Sequence, residues 1–238
     1  MRLNVVEVGA GPKTAILIHG LLSDSGAWCR VAPAMVDRGY HVLMPELRGH
    51  GRSPRGDYTP EAWADDLVES LPTGADLAVG HSLGGLSLAL AVDRLAPRLA
   101  VYVDPAWKVS AEGHERSRAE FRGQLGWDAP QLRTAHPRWA DEDVAARAAS
   151  LKRMDPRCID GLLPGGGHDH SPARASVPSL VMLADPSDLI PPADAERLRQ
   201  AGFDVVTVSG AGHSIFRDDF DGFMHALDAW LERRGPQT

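Results

Sequence analysis

Six short apolar runs recur along the chain, and each ends in glycine, proline or a polar turn. They are nearly continuous in hydrophobicity, as strands are when both faces of a sheet are covered. The N-terminal segment 2–8 instead alternates apolar and polar residues, which predicts an edge strand. The six predicted buried strands are 14–19, 41–45, 76–81, 99–104, 179–185 and 203–208.

Segments with apolar residues three and four positions apart separate these runs and predict helices. Strands alternating with helices indicate a mostly parallel sheet with helices on both faces, the α/β class. The region from Trp107 to Val177 has no convincing strand and predicts two or three inserted helices, with a loop at 165–172. The predicted helices of the main body are 27–39, 60–71, 84–96, 193–202 and 221–235.

Charge and cysteine content narrow the possible partners. The net charge of −7 argues against nucleic acid and anionic membrane surfaces. Cys29 and Cys158 are far apart and have no metal-ligand spacing, so two reduced thiols are expected. The first residues do not resemble a signal peptide, and no apolar run is long enough to span a membrane. We therefore expect a cytoplasmic protein that acts on a small molecule.

The segment GHSLG at positions 80–84 places a serine between a predicted strand and a predicted helix. In the G-x-S-x-G pattern, the serine sits on a sharp turn that pushes its hydroxyl clear of the backbone. Close backbone approach at such a turn requires small residues on either side. Ser82 could instead simply cap the helix, but a nucleophile is the favoured interpretation because partner residues occur elsewhere.

A serine nucleophile needs a base, and ten histidines compete for that role. His213 lies in a glycine-rich turn between the last strand and the final helix, where a base following nucleophile and acid in chain order is expected. His81 is expected to pack beneath the serine. His168 and His170 flank Asp169, and we prefer a solvated loop to a metal site there.

Backbone amides must also stabilise the oxyanion that forms when the serine attacks. The glycine in IHGLLSD, which follows the strand 14–19, allows the backbone to approach a developing negative charge. The amides of Leu21 and Leu83 are the predicted pair.

Taken in order, these motifs resemble the α/β-hydrolase superfamily over nearly the whole chain. The resemblance rests on the segment HGLLSDSGAW through ELRGHGRS, then GHSLGG, LVMLADPSDLIPP and GAGHS. It implies an eight-stranded, mostly parallel sheet in a core of residues 1–106 and 178–238, with a helical cap at 107–177. It also implies hydrolysis through an acyl-enzyme without a cofactor or metal. Glu46 departs from the aspartate usual before RGHG, and that position is normally structural.

The sequence leaves the third member of a catalytic triad open. In the superfamily the acid usually follows the strand written here as SLVMLAD, but its ungapped position falls on Ser187. Asp185 and Asp188 stand on either side. Asp104, at the end of the preceding strand, is an equal candidate with Asp185, and Asp188 ranks third.

Aromatic residues suggest the substrate. Trp107 in the predicted cap and Trp28 on the first helix are candidate pocket residues, although both also suit core packing. The favoured function is hydrolysis of a carboxylic ester or lactone of a small apolar or aromatic substrate. The alternatives are carbon–carbon bond hydrolysis, a lyase or cyclase step, or a ligand-sensing protein with a slow triad.

Overall fold

The computed structural model describes residues 1–162 and 167–234 and contains one large sheet of seven strands in the order β1-β3-β2-β4-β5-β8-β9. All neighbouring pairs are parallel except β1 with β3, which confirms the predicted N-terminal edge strand. The strands are β1 (Val5–Val8), β2 (Lys13–Ile18), β3 (Tyr40–Pro45), β4 (Leu77–His81), β5 (Ala100–Val103), β8 (Ser179–Leu183) and β9 (Asp204–Thr207).

The large sheet of the described residues lacks the expected eighth strand. Since β2 begins at Lys13, the segment before it has room for a single strand. That strand pairs directly with β3, with Val5 opposite Pro45. The described residues therefore form an α/β sheet with one strand fewer than the resemblance implied.

Helices cover both faces of the sheet. Ile16 and Ile18 point into one apolar cluster with α2 and α3, while Ala15 and Leu17 point into another with α1 and α10. This explains why the strands are apolar without alternation. The helices are α1 (Val31–Asp37), α2 (Pro60–Ser70), α3 (Leu83–Leu95), α4 (Ala111–Gln124), α5 (Ala129–Ala135), α6 (Asp141–Leu151), α7 (Arg157–Leu162), α8 (Pro192–Gln200), α9 (Ile215–Asp218) and α10 (Phe220–Arg233), with a 3₁₀ turn at Ser25–Trp28.

Between β5 and β8 the chain forms α4 to α7, four helices where two or three were expected. Two of them, α5 and α7, are short, and a capping box at Asp128 starts α5. The segment predicted as a loop at 165–172 contains a two-residue strand, β7 (His168–Asp169), paired with β6 (Lys108–Val109). Residues 165–166 of that prediction lie outside the described residues. Within the described ranges, none of the helices has the length and apolarity needed to cross a membrane.

Candidate active site

Ser82 occupies the turn between β4 and α3 with φ 52° and ψ −115°, a backbone conformation that non-glycine residues rarely adopt. The turn requires glycine at positions 80 and 84, because both residues lie so close to other backbone atoms that a side chain would collide with them. A Cβ on Gly80 would lie 2.5 Å from the carbonyl oxygen of Gly84, and one on Gly84 would lie 2.3 Å from that of Ile18. The amide of Ser82 donates to the carbonyl of Val103 at 3.0 Å, which fixes the turn against the end of β5.

His213 and Asp104 meet at the same edge of the sheet. His213 Nδ1 lies 2.7 Å from Asp104 Oδ2. The other carboxylate oxygen, Oδ1, accepts from the Ser187 hydroxyl at 2.7 Å and from the Ala184 amide at 3.3 Å. Asp104 is 1% exposed, so three donors converge on a buried carboxylate. This is how a buried charge is accommodated in a protein interior.

The structure separates the candidate acids. Asp185 is exposed, and its Oδ2 accepts from the Ser209 hydroxyl at 3.2 Å and the Gly210 amide at 3.1 Å. Asp188 is also exposed. Among the three candidates, Asp104 is the one that contacts His213. The sequence placed Ser187 at the usual acid position but did not predict that its hydroxyl donates a hydrogen bond to Asp104, at the end of the neighbouring strand.

His81 connects the serine turn to the loop that carries His213. It is buried, and its Nε2 donates to the carbonyl of His213 at 3.0 Å. Burial, reinforced by the neighbouring His213, holds the pKa of His81 well below its usual value, so the ring is neutral at physiological pH. His81 therefore holds the His213 loop against the end of β4. The sequence had suggested only that it packs under the serine.

The loop after β2 runs against the serine turn. A Cβ on Gly20 would lie 3.1 Å from Ser82 Cβ and 2.8 Å from His81 Nδ1. Leu21 follows in this loop and Leu83 begins α3, so both lie at the same corner as Ser82, and both side chains are buried. At Gly20 the backbone of this loop faces Ser82, whereas the side chains of Leu21 and Leu83 are packed in the core.

The two predicted pocket tryptophans are fully buried in the core. Trp107 donates its Nε1 proton to the carbonyl of Gly85 at 3.1 Å and packs edge-on against Tyr102. Trp28 packs against Phe216 with the rings tilted by 30° and their centroids 4.6 Å apart. In both cases core packing satisfies the large apolar ring, so neither supports the inference of an aromatic substrate.

Glu46 has the structural role that the sequence indicated. Its carboxylate accepts from the Ser25 hydroxyl at 2.8 Å, the Arg52 amide at 2.6 Å and the Asn4 side chain at 3.0 Å. It ties together loops that follow β2 and β3. The ring centroids of His168 and His170 lie 5.2 Å apart with the rings tilted by 38°, and the described residues contain no cluster of side chains able to hold a metal ion.

Two buried arginines lie behind the loop after β2 and were not anticipated. Arg147 on α6 is 9% exposed, and Arg217 on α9 is 3% exposed. A signal for Arg147 existed, because it lies on the same helical face as Val144 and Leu151, both of which are buried. Two other arginines of the inserted helices behave differently: Arg118 and Arg122 pair with Asp160 near the surface.

Comparison with known proteins supports the same superfamily. The chain matches the alpha/beta hydrolase family over residues 15–226. N-formylmaleamate deformylase of Pseudomonas putida is 28% identical over 254 residues, covering 98% of this chain and 93% of that protein. Methylesterase 3 of Arabidopsis thaliana is 30% identical, covering 53% of this chain and 48% of that protein. The crystal structure of an N-formylmaleamic acid deformylase from Pseudomonas putida S16 aligns with a TM-score of 0.79 at 24% identity, covering 94% of each chain. The protein is a hydrolase that belongs to the alpha/beta hydrolase family.

Proposed function

We propose that this protein is a serine hydrolase that cleaves a carboxylic ester or lactone through an acyl-enzyme. The observation that carries the proposal is the 2.7 Å contact between His213 Nδ1 and Asp104 Oδ2, beside the strained turn that presents Ser82. The strain at Ser82 and the buried carboxylate are costly features that a purely structural corner does not require.

The hydrogen bond to Asp104 determines what His213 can do. A proton on Nδ1 is donated to the carboxylate, which leaves the lone pair of Nε2 free to accept a proton. Ser82 Oγ attacks the carbonyl carbon as its proton passes to Nε2, and the carbonyl oxygen becomes an oxyanion held by the amides of Leu21 and Leu83. The tetrahedral species collapses to the acyl-enzyme while Nε2 returns the proton to the leaving alcohol. Water then attacks the acyl-enzyme by the same steps, with Nε2 of His213 taking its proton and returning it to Ser82, and the carboxylic acid is released.

Residues 107–177 act in this proposal as a cap over the reacting groups. Arg138 donates to the carbonyl of Gly210 at 2.8 Å, and Trp139 donates to Asp218 Oδ1 at 3.0 Å. Both contacts join the inserted helices to the segment that carries His213. Arg147 joins the insertion to the loop after β2 through the carbonyl of Leu22 at 2.8 Å. These contacts support a cap role for the insertion, because each joins it to one of the two loops of the proposed site.

Cleavage of an acyl–nitrogen bond is a second candidate, favoured by the similarity to a deformylase across 98% of this chain. The same residues serve it, because Nε2 of His213 returns its proton to the leaving nitrogen instead of an alcohol oxygen. Release of formate from an N-formyl compound by wild type, with no turnover of activated esters, would select this candidate over ester hydrolysis.

The experiment that tests the proposal is turnover of 4-nitrophenyl acetate and butyrate. Wild type is expected to release nitrophenol catalytically, and Ser82→Ala is expected to lose the activity. Ser87→Ala is the matched control, because Ser87 lies on the same α3 helix and its hydroxyl donates to the carbonyl of Leu83. Activity that persists in Ser82→Ala would exclude the acyl-enzyme, and tight binding of a ligand without turnover would favour a sensor.

A further inference from the structure

Arg147 donates only to neutral acceptors. Its Nη1 group lies 3.2 Å from the Leu21 carbonyl oxygen and 2.8 Å from that of Leu22, and its Nη2 group lies 3.0 Å from Gln124 Oε1. No carboxylate of the described chain lies within ion-pair distance of it. Burial and the nearby Arg217 lower the pKa of Arg147 to about 9, which still leaves it cationic at neutral pH.

Arg217 brings a second buried cation to the same place. Its Nη2 donates to the Ser23 hydroxyl at 3.3 Å, and its Nε lies 3.8 Å from Asp143 Oδ1. Asp143 also faces Arg30 at 3.5 Å, so this one buried carboxylate is shared between two arginines. Among the described residues, Arg217 therefore has one carboxylate within ion-pair distance, at 3.8 Å, and Arg147 has none. A buried charge without a counter-ion is strongly unfavourable.

Both guanidinium groups also keep unused donors. The Nε atoms of Arg147 and Arg217 are buried and have no hydrogen-bond partner in the described part of the chain. Of the five N–H groups on Arg147, the three contacts above use three. A guanidinium with free N–H groups and no counter-ion matches the bidentate geometry of a carboxylate.

The pair lies next to the reacting groups. Arg147 bonds to the two residues that follow Gly20, which itself abuts Ser82. Arg217 lies four residues after His213 on the same segment, and the charges of both arginines act on His81 beside the serine. An anion bound here would be part of the molecule whose carbonyl reaches Ser82.

We propose that Arg147 and Arg217 bind a carboxylate group of the substrate, so that this hydrolase acts on an acyl compound carrying a second, free carboxylate. The inference rests on the proposed function and specifies its substrate class.

Gln124 Oε1 accepts a hydrogen bond from the edge of the Arg147 guanidinium that the substrate carboxylate would bind. Gln124 ends α4, whose described residues bury only the side chains of His114 and Gln124, so this helix is held by few apolar contacts. Outward movement of its last turn admits the anion.

A pair of activated esters tests the inference. Mono-4-nitrophenyl succinate and 4-nitrophenyl butyrate share a leaving group and chain length, and differ by a carboxylate in place of a methyl group. Wild type is expected to favour the succinyl ester in kcat/KM. Arg147→Met and Arg217→Met are each expected to lower that preference by about 10- to 100-fold, the range for losing hydrogen bonds to a charged group. The readout is the ratio of kcat/KM for the two esters. Arg147 also supports the loop at Leu21, and a change in that loop would affect both esters and leave the ratio unchanged.

A surface arginine provides the matched control. Arg199 lies on α8, its side chain is 48% exposed, and its contact is with Glu196. Arg199→Met is expected to leave the preference for the succinyl ester unchanged. An equal fall in this variant, or an unchanged ratio in both buried-arginine variants, would refute the carboxylate site.

A binding measurement separates this inference from the proposed chemistry. Succinate is expected to raise the melting temperature of the Ser82→Ala protein in a concentration-dependent way, because a ligand that binds the folded state stabilises it. Arg147→Met in that background should remove the effect. If wild type turns over esters but succinate does not stabilise the Ser82→Ala protein, the carboxylate site is refuted and the proposed hydrolase mechanism is not. Stabilisation without turnover would support the site and count against the hydrolase mechanism.

Discussion

Asp104→Asn is the substitution for which the structure specifies the outcome most completely. Oδ1 of Asp104 accepts from two donors, the Ser187 hydroxyl and the Ala184 amide, while Oδ2 faces His213 Nδ1. An asparagine at this position retains one acceptor oxygen. At the position of Oδ1, that oxygen accepts from both Ser187 and Ala184. At the position of Oδ2, it accepts from His213 alone. The side chain is therefore expected to turn its NH₂ group toward His213.

This orientation of the asparagine reverses the tautomer of His213. The amide NH₂ donates to Nδ1, so the ring proton moves to Nε2, and Nε2 can no longer take a proton from Ser82. Loss of the correct tautomer in a comparable triad costs about 10⁴-fold in kcat. That factor corresponds to about 5.4 kcal/mol of transition-state stabilisation. The fold should survive, because the substitution removes a buried charge and keeps the shape of the side chain.

The assay is 4-nitrophenyl butyrate hydrolysis, with thermal unfolding measured in parallel to verify folding. Asp185→Asn is the matched control, since Asp185 is exposed and bonds to Ser209 and Gly210 rather than to His213. It should keep activity close to wild type. A folded Asp104→Asn protein within about tenfold of wild type, roughly 1.4 kcal/mol, would refute the reasoning. An equal loss in Asp185→Asn would do the same.

Three further outcomes follow from the structure. A fluorophosphonate probe should label Ser82 stoichiometrically, and labelling should slow strongly in His213→Ala; equal rates would show that the base is not needed. Gly84→Ala should destabilise the fold by about 1–3 kcal/mol in urea unfolding, because its Cβ would meet backbone at 2.3 Å; unchanged stability would contradict this close approach. Burial lowers the pKa of His50 to about 3 and that of His81 well below 6.5, so the unfolded chain takes up protons that the folded chain excludes. These two histidines should therefore contribute fully well above pH 6.5 and lower the free energy of unfolding by about 2–3 kcal/mol between pH 7.5 and 5.5, and a flat profile would argue against two buried neutral histidines.

The order of strands and helices was predictable from the sequence. Local rules govern it: continuous apolar runs predict buried strands, and apolar residues three and four apart predict helices. The turn at Ser82 was predictable for the same reason, since close approach at Gly80 and Gly84 excludes any side chain there. The strand count was wrong because it came from resemblance to a family rather than from the residues, which leave room for one strand before Lys13.

The partner of His213 was decided only by the tertiary structure. Asp104 and Asp185 follow strands β5 and β8, which are neighbours in the sheet, so sequence position could not separate them. The difference lies in which carboxylate turns inward to meet the donors of Ser187 and His213 and which turns out to Ser209. Burial decides that question, and burial depends on every element packed around the strand ends.

The sequence by itself determined a parallel sheet, the serine turn and the segment that carries His213, because each depends on residues close together in the chain. Tertiary structure alone decided what lies around them. Arg147 and Arg217 are 70 positions apart, and only folding buries them both and leaves Arg147 bonded to neutral acceptors. Electrostatic free energy depends on distance and burial in space, which no local pattern of residues records.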